Sequence, residues 1–421
     1  MELVRIAYII EMMLIIAISN NKFKRLLNIS TIISFIWIFF GFISTFGLYG
    51  LRIPSIKVHV YSMIFVFSLV LTIVVTKKSI IKSSNVMISF DTYIKRAKMV
   101  QLTMCIFISP LVFFSIQSAI QFGSITGARK SYYSIGYFDS IYMDFVFKSM
   151  PMACCSALII VFCYASFQSG KIKYALLALF DAILLAFISG GRYSLISFIY
   201  CLFILKFLSP NKEKNSVSII IGDKVKKYIA IGIVMLAIVT VVRGQNIFEQ
   251  LIKYFAGGFS YLDLILENPS DFGLNGYTYG YLTFGAITEP IVLVLKVLGI
   301  STPNVPEYQI NIYCQTFHNI GDEAIIMYNA NTTILYYFIS DLGFCGIIIG
   351  GILLGKVIAI TYNMWNRCSW YGALLFMYFS IVALNSIMIY QFFGKSAIVV
   401  IFVLWFVTQN KFEFGWKQLI S

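Results

Sequence analysis

The sequence predicts an all-α, polytopic bundle of membrane-spanning helices, and three observations predict it. Hydrophobic residues make up 59% of the chain and charged residues 12%, with a mean hydropathy of +0.85, a balance foreign to water-soluble domains. The apolar residues gather in runs close to the length of about 20 that a helix needs to cross a hydrocarbon core. Barrel-type alternation is missing, and without water only helices or closed barrels satisfy every backbone N–H and C=O.

Taken in order, about eleven runs read as spans. The first, residues 3–19, carries Glu11 within the run and no small-residue cleavage site, so it reads as a retained helix and not as a signal peptide. Residues 29–48, 58–76, 99–121 and 145–167 follow as continuous apolar windows. The stretch from Tyr174 to Leu208 is 35 residues long, and as one helix it would measure about 52 Å, far beyond the bilayer. Two short spans, 174–190 and 193–208, solve this, with Gly190-Gly191 as a turn because glycine accepts positive φ. The eighth span, 228–242, ends in "VVRGQ", and spans at 334–360, 371–390 and 395–408 complete the set.

Basic residues set the orientation. If the loop at 20–28 is cytoplasmic, it and its alternates (77–98, 168–173, 209–227, 361–370 and the C-terminal tail) hold 19 Lys and Arg, whereas the short segments of the other side hold eight. That is a positive-inside bias. It also accounts for the net charge of +14 without nucleic acid, since no basic patch interleaves with aromatics. The division that follows is residues 1–242 with helices 1 to 8, a large external loop at 243–333, and residues 334–421 with helices 9 to 11.

The loop holds three basic residues, Arg243, Lys253 and Lys296, against eight acidic ones, and it is far too long for a connector. "NIFEQLIKYFAGGFSYLDLIL" has a helical rhythm broken by Gly257-Gly258, and "TEPIVLVLKVLGI" places Pro290 near a helix start. About ten apolar residues cannot span the core, so both are expected as short helices at the membrane surface or tucked into the bundle.

The hairpin turn puts Arg192 at the outer face, and Arg243 emerges there too. Guanidinium forks match phosphate oxygens and keep their charge in low dielectric, so a lipid-linked phosphate or pyrophosphate fits; the alternative is two arginines snorkelling to headgroups. His318 in "QTFHNIGDEA", with Asp322 and Glu323 behind it, is a general-base candidate or a solvated loop residue. Asp181 and Asp341, inside spans, are expected to position an arginine, accept a proton or form buried salt bridges. Glu11 and Lys356 read as interfacial, and His59 as a minor candidate. Loop tyrosines, Tyr254 among them, either stack on sugar rings or form an interfacial belt. The eight cysteines show no metal spacing; most are expected in apolar surroundings, with Cys314 in a polar loop as the reactive exception.

The Gly-Gly-Arg turn, the Arg-Gly step opening the long loop and the closing "NANTTILYYFISDLGFCGIIIGGILLG" resemble the bacterial O-antigen polymerases, which join oligosaccharide repeat units in lipopolysaccharide assembly. The likeness covers the layout of nearly the whole chain through short, degenerate motifs. It matches Arg192 in the turn, Arg243 with Gly244 at the loop entrance, and Asp341 with Gly343 and Gly346 in the returning helix. What it implies is a GT-C-like membrane glycosyltransferase in the bacterial inner membrane, with the large loop periplasmic and the C-terminus cytoplasmic. A polyprenyl pyrophosphate would leave as the hydroxyl of another lipid-linked repeat unit attacks, with no cofactor and no metal. Arg192, Arg243, His318 and Asp341 would be catalytic, and Gly190, Gly191, Gly244, Tyr254 and Asp181 would bind substrate. Partners implied are the lipid-linked repeat units, the bilayer, and a chain-length regulator and flippase of the same pathway. The similar O-antigen ligase and a flippase for the same lipid-linked oligosaccharide are the alternatives; no internal repeat of a transporter is visible.

A reporter fused near Glu307 should signal from the external side, and a cytoplasmic signal there would overturn the order of spans.

Overall fold

The computed structural model describes residues 1–77, 89–121, 123, 145–189, 191–209, 247–274, 276–302, 318–322, 325–328, 332–367 and 369–409. Among them are twelve α-helices: α1 (Glu2–Phe23), α2 (Ile29–Ser44), α3 (Ile56–Thr76), α4 (Phe90–Gln121), α5 (Met150–Ser169), α6 (Ile172–Ser189), α7 (Tyr193–Leu208), α8 (Ile247–Glu267), α9 (Gly285–Val297), α10 (Ile334–Asn366), α11 (Trp370–Asn385) and α12 (Ser396–Thr408). Five helices are long and apolar enough to cross a membrane: α3, α4, α5 with the π-helical turn before it, α6 and α10. Helices α2, α7, α11 and α12 are apolar but shorter. Ten expected spans therefore coincide with helices; the expected span at 228–242 lies outside the described residues.

Boundaries move where local chemistry intervenes. Helix α2 starts on a capping box, Asn28 accepting from Thr31 N–H and Thr31 accepting from Asn28 N–H. It stops at Ser44, four residues short of the apolar run, where Ser44 and Thr45 hydroxyls turn back onto the carbonyls of Gly41 and Phe42. Helix α5 is apolar all round and buried from Ala157 to Ala165, so it is the axis against which α4, α6, α7 and α12 pack. Its cysteines, Cys154, Cys155 and Cys163, are buried as expected, with Cys201 of α7.

Helices α3 and α10 make the closest pair, and glycine explains it. A Cβ on Gly351 would stand 2.9 Å from the Phe65 carbonyl oxygen, and one on Gly355 would stand 2.5 Å from that of Leu69. Backbone thus meets backbone along one side of α10, the spacing Gly351-x-x-x-Gly355 giving a groove for α3. Higher up, α10 breaks at Leu342 and Gly343, the latter at φ 59°, which suits glycine.

Helix ends sort into two faces. On one, Asn385 Nδ2 donates to Tyr193 Oη at 2.9 Å, Ile334 N–H donates to the Ser386 carbonyl at 2.8 Å, and Arg5 donates to Thr45 Oγ1 at 2.9 Å. On the other, Lys77 donates to the Lys22 carbonyl, Arg25 to that of Ser209, Asn363 to that of Thr76, and Arg96 to that of Gln409. Segments that the basic-residue pattern assigns to one side therefore meet at one end.

The long loop departs from expectation in three ways. Gly257-Gly258 do not interrupt α8; they let it lie close, a Cβ on Gly258 reaching within 3.0 Å of the Ile387 carbonyl oxygen. Helix α8 is consequently tucked in, with Ala256, Phe259, Tyr261, Leu262 and Ile265 fully buried. Pro290 is the sixth residue of α9 and not its start. A two-stranded antiparallel sheet, β1 (His318–Asn319) with β2 (Met327–Tyr328), was not foreseen; Asn319 Oδ1 closes it by accepting from the N–H groups of Gly321 and Ile326. Glu11, expected at the interface, is also buried, because it falls in the inward stripe Val4, Tyr8, Glu11, Ile15, Ser19, Phe23 of α1.

Gly355→Ala is expected to destabilise the bundle by about 1–3 kcal/mol, as overpacking does. Gly276→Ala, with nothing within 4 Å, should leave it unchanged. Thermal unfolding in detergent measures both, and equal midpoints would remove the close-contact role of Gly355.

Candidate functional site

The site is built where the α6–α7 turn, α8 and the β1–β2 hairpin come together. Ser189 Oγ donates to the Leu185 carbonyl at 2.7 Å and accepts the Gly191 N–H at 3.1 Å, which closes α6. Ser194 Oγ donates across to the Ala182 carbonyl at 2.7 Å, holding α7 against α6. Arg192 is the N-cap of α7, half-buried, at φ −99°. Gly191 itself does not take a positive φ; what it contributes is its missing side chain, since a Cβ would meet Ser189 Oγ at 3.0 Å. Gly190 lies outside the described residues.

The guanidinium of Arg192 stands 5.9 Å from the ring centre of Tyr254 on α8, within reach of a cation–π attraction. Tyr254 in turn accepts, through its carbonyl, the Tyr328 hydroxyl at 3.3 Å. Burial pushes the Tyr328 phenol far above its ordinary pKa, with the nearby Tyr254 adding to the shift, so it stays protonated and donates. Tyr328 faces His318 across the hairpin. The His318 ring is half-buried between Phe272 at 4.8 Å and Tyr261 at 5.7 Å, and Tyr261 also meets Tyr328 at 5.5 Å. Arg192, Tyr254 and His318 thus belong to one aromatic-lined region, joined through Tyr328 and Tyr261.

Two other candidates are placed elsewhere. Asp341 sits at the break in α10 and is fully engaged: its carboxylate accepts from Leu282 N–H at 3.1 Å, Thr283 N–H at 2.6 Å and the Thr278 hydroxyl. Among the described residues it partners no arginine. The buried N–H groups of the returning loop need an acceptor, and a carboxylate at a helix break supplies it. Asp181 forms no pair with Arg192 either. Eleven residues of α6 and its turn separate them, about 16 Å of rise, and Asp181 instead accepts from Gln101 Nε2 on α4 at 3.1 Å and 3.2 Å. Both are held by neutral or backbone donors, not by the buried salt bridges expected. Arg243, Gly244, Glu323 and Cys314 lie outside the described residues.

Two ionic clips were invisible in the sequence. Arg52, between α2 and α3, contacts Asp263 at 3.5 Å and Glu267, while Ser55 N–H donates to Asp263 at 3.0 Å. Arg52 N–H also donates to the Ile320 carbonyl at 2.9 Å, so one turn fastens both α8 and the hairpin. On the other flank Lys395 at the start of α12 meets Glu289 of α9 at 2.8 Å, with its own backbone N–H at 3.0 Å from the same carboxylate. Partners so far apart in the chain leave no periodic or motif signal.

Asp341→Ala is expected to free the 276–284 segment, raising its protease sensitivity and lowering the unfolding midpoint; Asp341→Asn, which keeps an acceptor oxygen, should fall between. Limited proteolysis of the purified protein reads both, and an unchanged digestion pattern would return Asp341 to a direct chemical role. No family model matches the chain, and no curated protein and no solved structure matches it.

Proposed function

We propose that the chain is a membrane glycosyltransferase that joins polyprenyl-pyrophosphate-linked oligosaccharide units at the outer face of a bacterial inner membrane, the O-antigen polymerase reaction. All eleven expected runs cross the bilayer in this reading, with the loop periplasmic. The observation that carries it is the placing of Arg192, a half-buried guanidinium at an interhelical turn, against Tyr254 in the aromatic region that also holds His318. A guanidinium there meets negative charge building on a pyrophosphate as the glycosidic bond breaks, and an aromatic wall offers sugar rings a face. His318, half-buried in that region, is the group assigned to take the proton of an attacking hydroxyl. Arg243, at the mouth of the loop, is assigned the second phosphate contact from the resemblance alone.

A second reading, transport of the same lipid-linked oligosaccharide, draws support from the buried ionisable residues Glu11, His59 and Asp181 inside the bundle. A ligase of the same layout shares the chemistry of the first.

Arg192→Lys is expected to cut the rate by roughly a hundredfold, the usual cost of losing a preorganised donor to a developing charge, about 3 kcal/mol. Lipopolysaccharide from a null strain carrying the variant would then lack long chains although the protein remains in the membrane. A ladder of normal length would sink the phosphate role. The null strain itself separates the readings: a core still capped by one repeat unit indicates a polymerase, and loss of even that unit indicates the ligase or the transporter.

A further inference from the structure

The bundle holds a titratable cluster that the proposed reaction does not use, made by α1 and α3 beneath the outer turns. Tyr8, His59 and Ser62 are all 1% exposed or less. Their hydrogen bonds can be ordered. Ser62 Oγ lies 2.8 Å from the His59 carbonyl, which can only accept, so the single Ser62 proton is placed. Tyr8 Oη, 2.9 Å from Ser62 Oγ, must then be the donor of that pair. Its proton being placed too, the 3.0 Å contact between Tyr8 Oη and His59 Nδ1 is donated by the ring. His59 is therefore the Nδ1–H tautomer, and its Nε2 carries a bare lone pair.

That lone pair is buried and has no hydrogen-bond partner in the neutral ring. One helical turn on from Tyr8, in the same inward stripe, Glu11 is 8% exposed and neither carboxylate oxygen has a partner. Two unfilled acceptors, one on the ring of the hydrogen-bonded chain and one on the neighbouring turn of α1, are costly in a low-dielectric interior unless something is bound there. The charged and titratable neighbours are few. Tyr8 and the chain's amino terminus lie on α1, Asp263 faces His59 from α8, and the Pro54 carbonyl stands beside the ring. Helix α2 contains no ionisable side chain, and on α10 Asp341 is engaged with the loop and Lys356 is exposed.

We propose that Glu11, Tyr8, His59 and Ser62 form a proton-binding site within the bundle, loaded from the outer face beside Asp263. A proton arriving at His59 Nε2 gives an imidazolium flanked by the Asp263 carboxylate. The ring then releases its Nδ1 proton to Tyr8 Oη, and the phenolic proton, turning away from Ser62, passes to the Glu11 carboxylate, which is not hydrogen-bonded to Tyr8 in the structure and rotates to it from three residues on along the same helix face. One proton enters and one carboxylate is neutralised, with His59 left as the Nε2–H tautomer. The ligand is the proton and not a metal cation, because a single carboxylate, a phenol and one nitrogen do not supply the oxygen cage that hard cations require. The inference stands apart from the glycosyl-transfer reading.

Infrared difference spectra of the full-length protein in liposomes, taken between acid and alkaline pH, test it. A protonated-carboxyl band that titrates in the wild type should be lost in Glu11→Gln, while the Asp181 band, identified with Asp181→Asn, persists. Nitrogen-15 spectra of labelled histidine, assigned by His59→Gln, should show the Nδ1–H tautomer at alkaline pH and a gained Nε2 proton on acidification. Carboxyl bands unchanged in Glu11→Gln, or a His59 fixed as the Nε2–H tautomer at every pH, would overturn the site. Should Glu11→Gln fail to insert, Tyr8→Phe keeps both terminal groups and removes the oxygen between them. It should preserve the carboxyl band and lose the Nδ1–H preference of His59, and wild-type spectra in both respects would overturn the relay.

Discussion

Everything in this chain depends on the backbone contact between α3 and α10. Lipid tails are as apolar as leucine, so the hydrophobic effect does not press spanning helices together; dispersion at short range and interhelical hydrogen bonds must do so. Gly351 and Gly355 bring the α10 backbone against the Phe65 and Leu69 carbonyls, and that approach fixes α3. The fixed α3 then positions the two features built on it: the buried cluster around His59, and the Arg52 turn just before its first residue. The break at Gly343 lets α10 keep this contact lower down while its upper part turns to meet the loop.

Buried charge follows one rule with a single exception among the described residues. Every other enclosed carboxylate is given donors from backbone or side chain, and the donor type tracks its place. Asp181, deep among spans, has a side-chain amide. Asp341, where helix gives way to loop, takes backbone N–H groups that no helix satisfies. Asp263 of α8 and Glu289 of α9 have basic partners as well as backbone N–H groups. Glu11 alone among these departs from the pattern, its two oxygens being without partners. In a fold that satisfies its other enclosed acids, that departure marks a place where the protein holds something other than a structural bond.

How far the sequence could be read follows from the range of the forces involved. Span positions were legible because hydrophobicity is a local sum: α3, α6, α7 and α12 begin within two residues of the expected points. The early stop of α2 was not, because two hydroxyls decide it and they sit inside the apolar run. The turn carrying Arg192 is legible from the length of the 174–208 run and its glycine pair, whereas its meeting with Tyr254 depends on packing that leaves no local signal. The role of Asp341 was not, since a carboxylate at a glycine break reads identically whether it faces a guanidinium or three loop donors. The hairpin escaped notice because strands of two residues carry no periodicity.

The ionic clips also sharpen the topology. A count of basic residues treats every arginine or lysine of the segments expected outside as opposing the positive-inside bias, yet some of the eight are paired with acids. Arg52 lies against Asp263 and Glu267, and Lys395 against Glu289, each acid coming from the long loop. Arg5 is turned onto Thr45 and onto the ring of Phe46, 4.0 Å from its guanidinium. The acidic residues of 243–333 are therefore in part the complement of basic residues at neighbouring helix ends. The same pairs hold α8 and α9 down on the bundle, and α8 in turn carries Tyr254 to the turn that bears Arg192. A loop without these acids would lose the clips and, with them, the seating of α8 beside that turn.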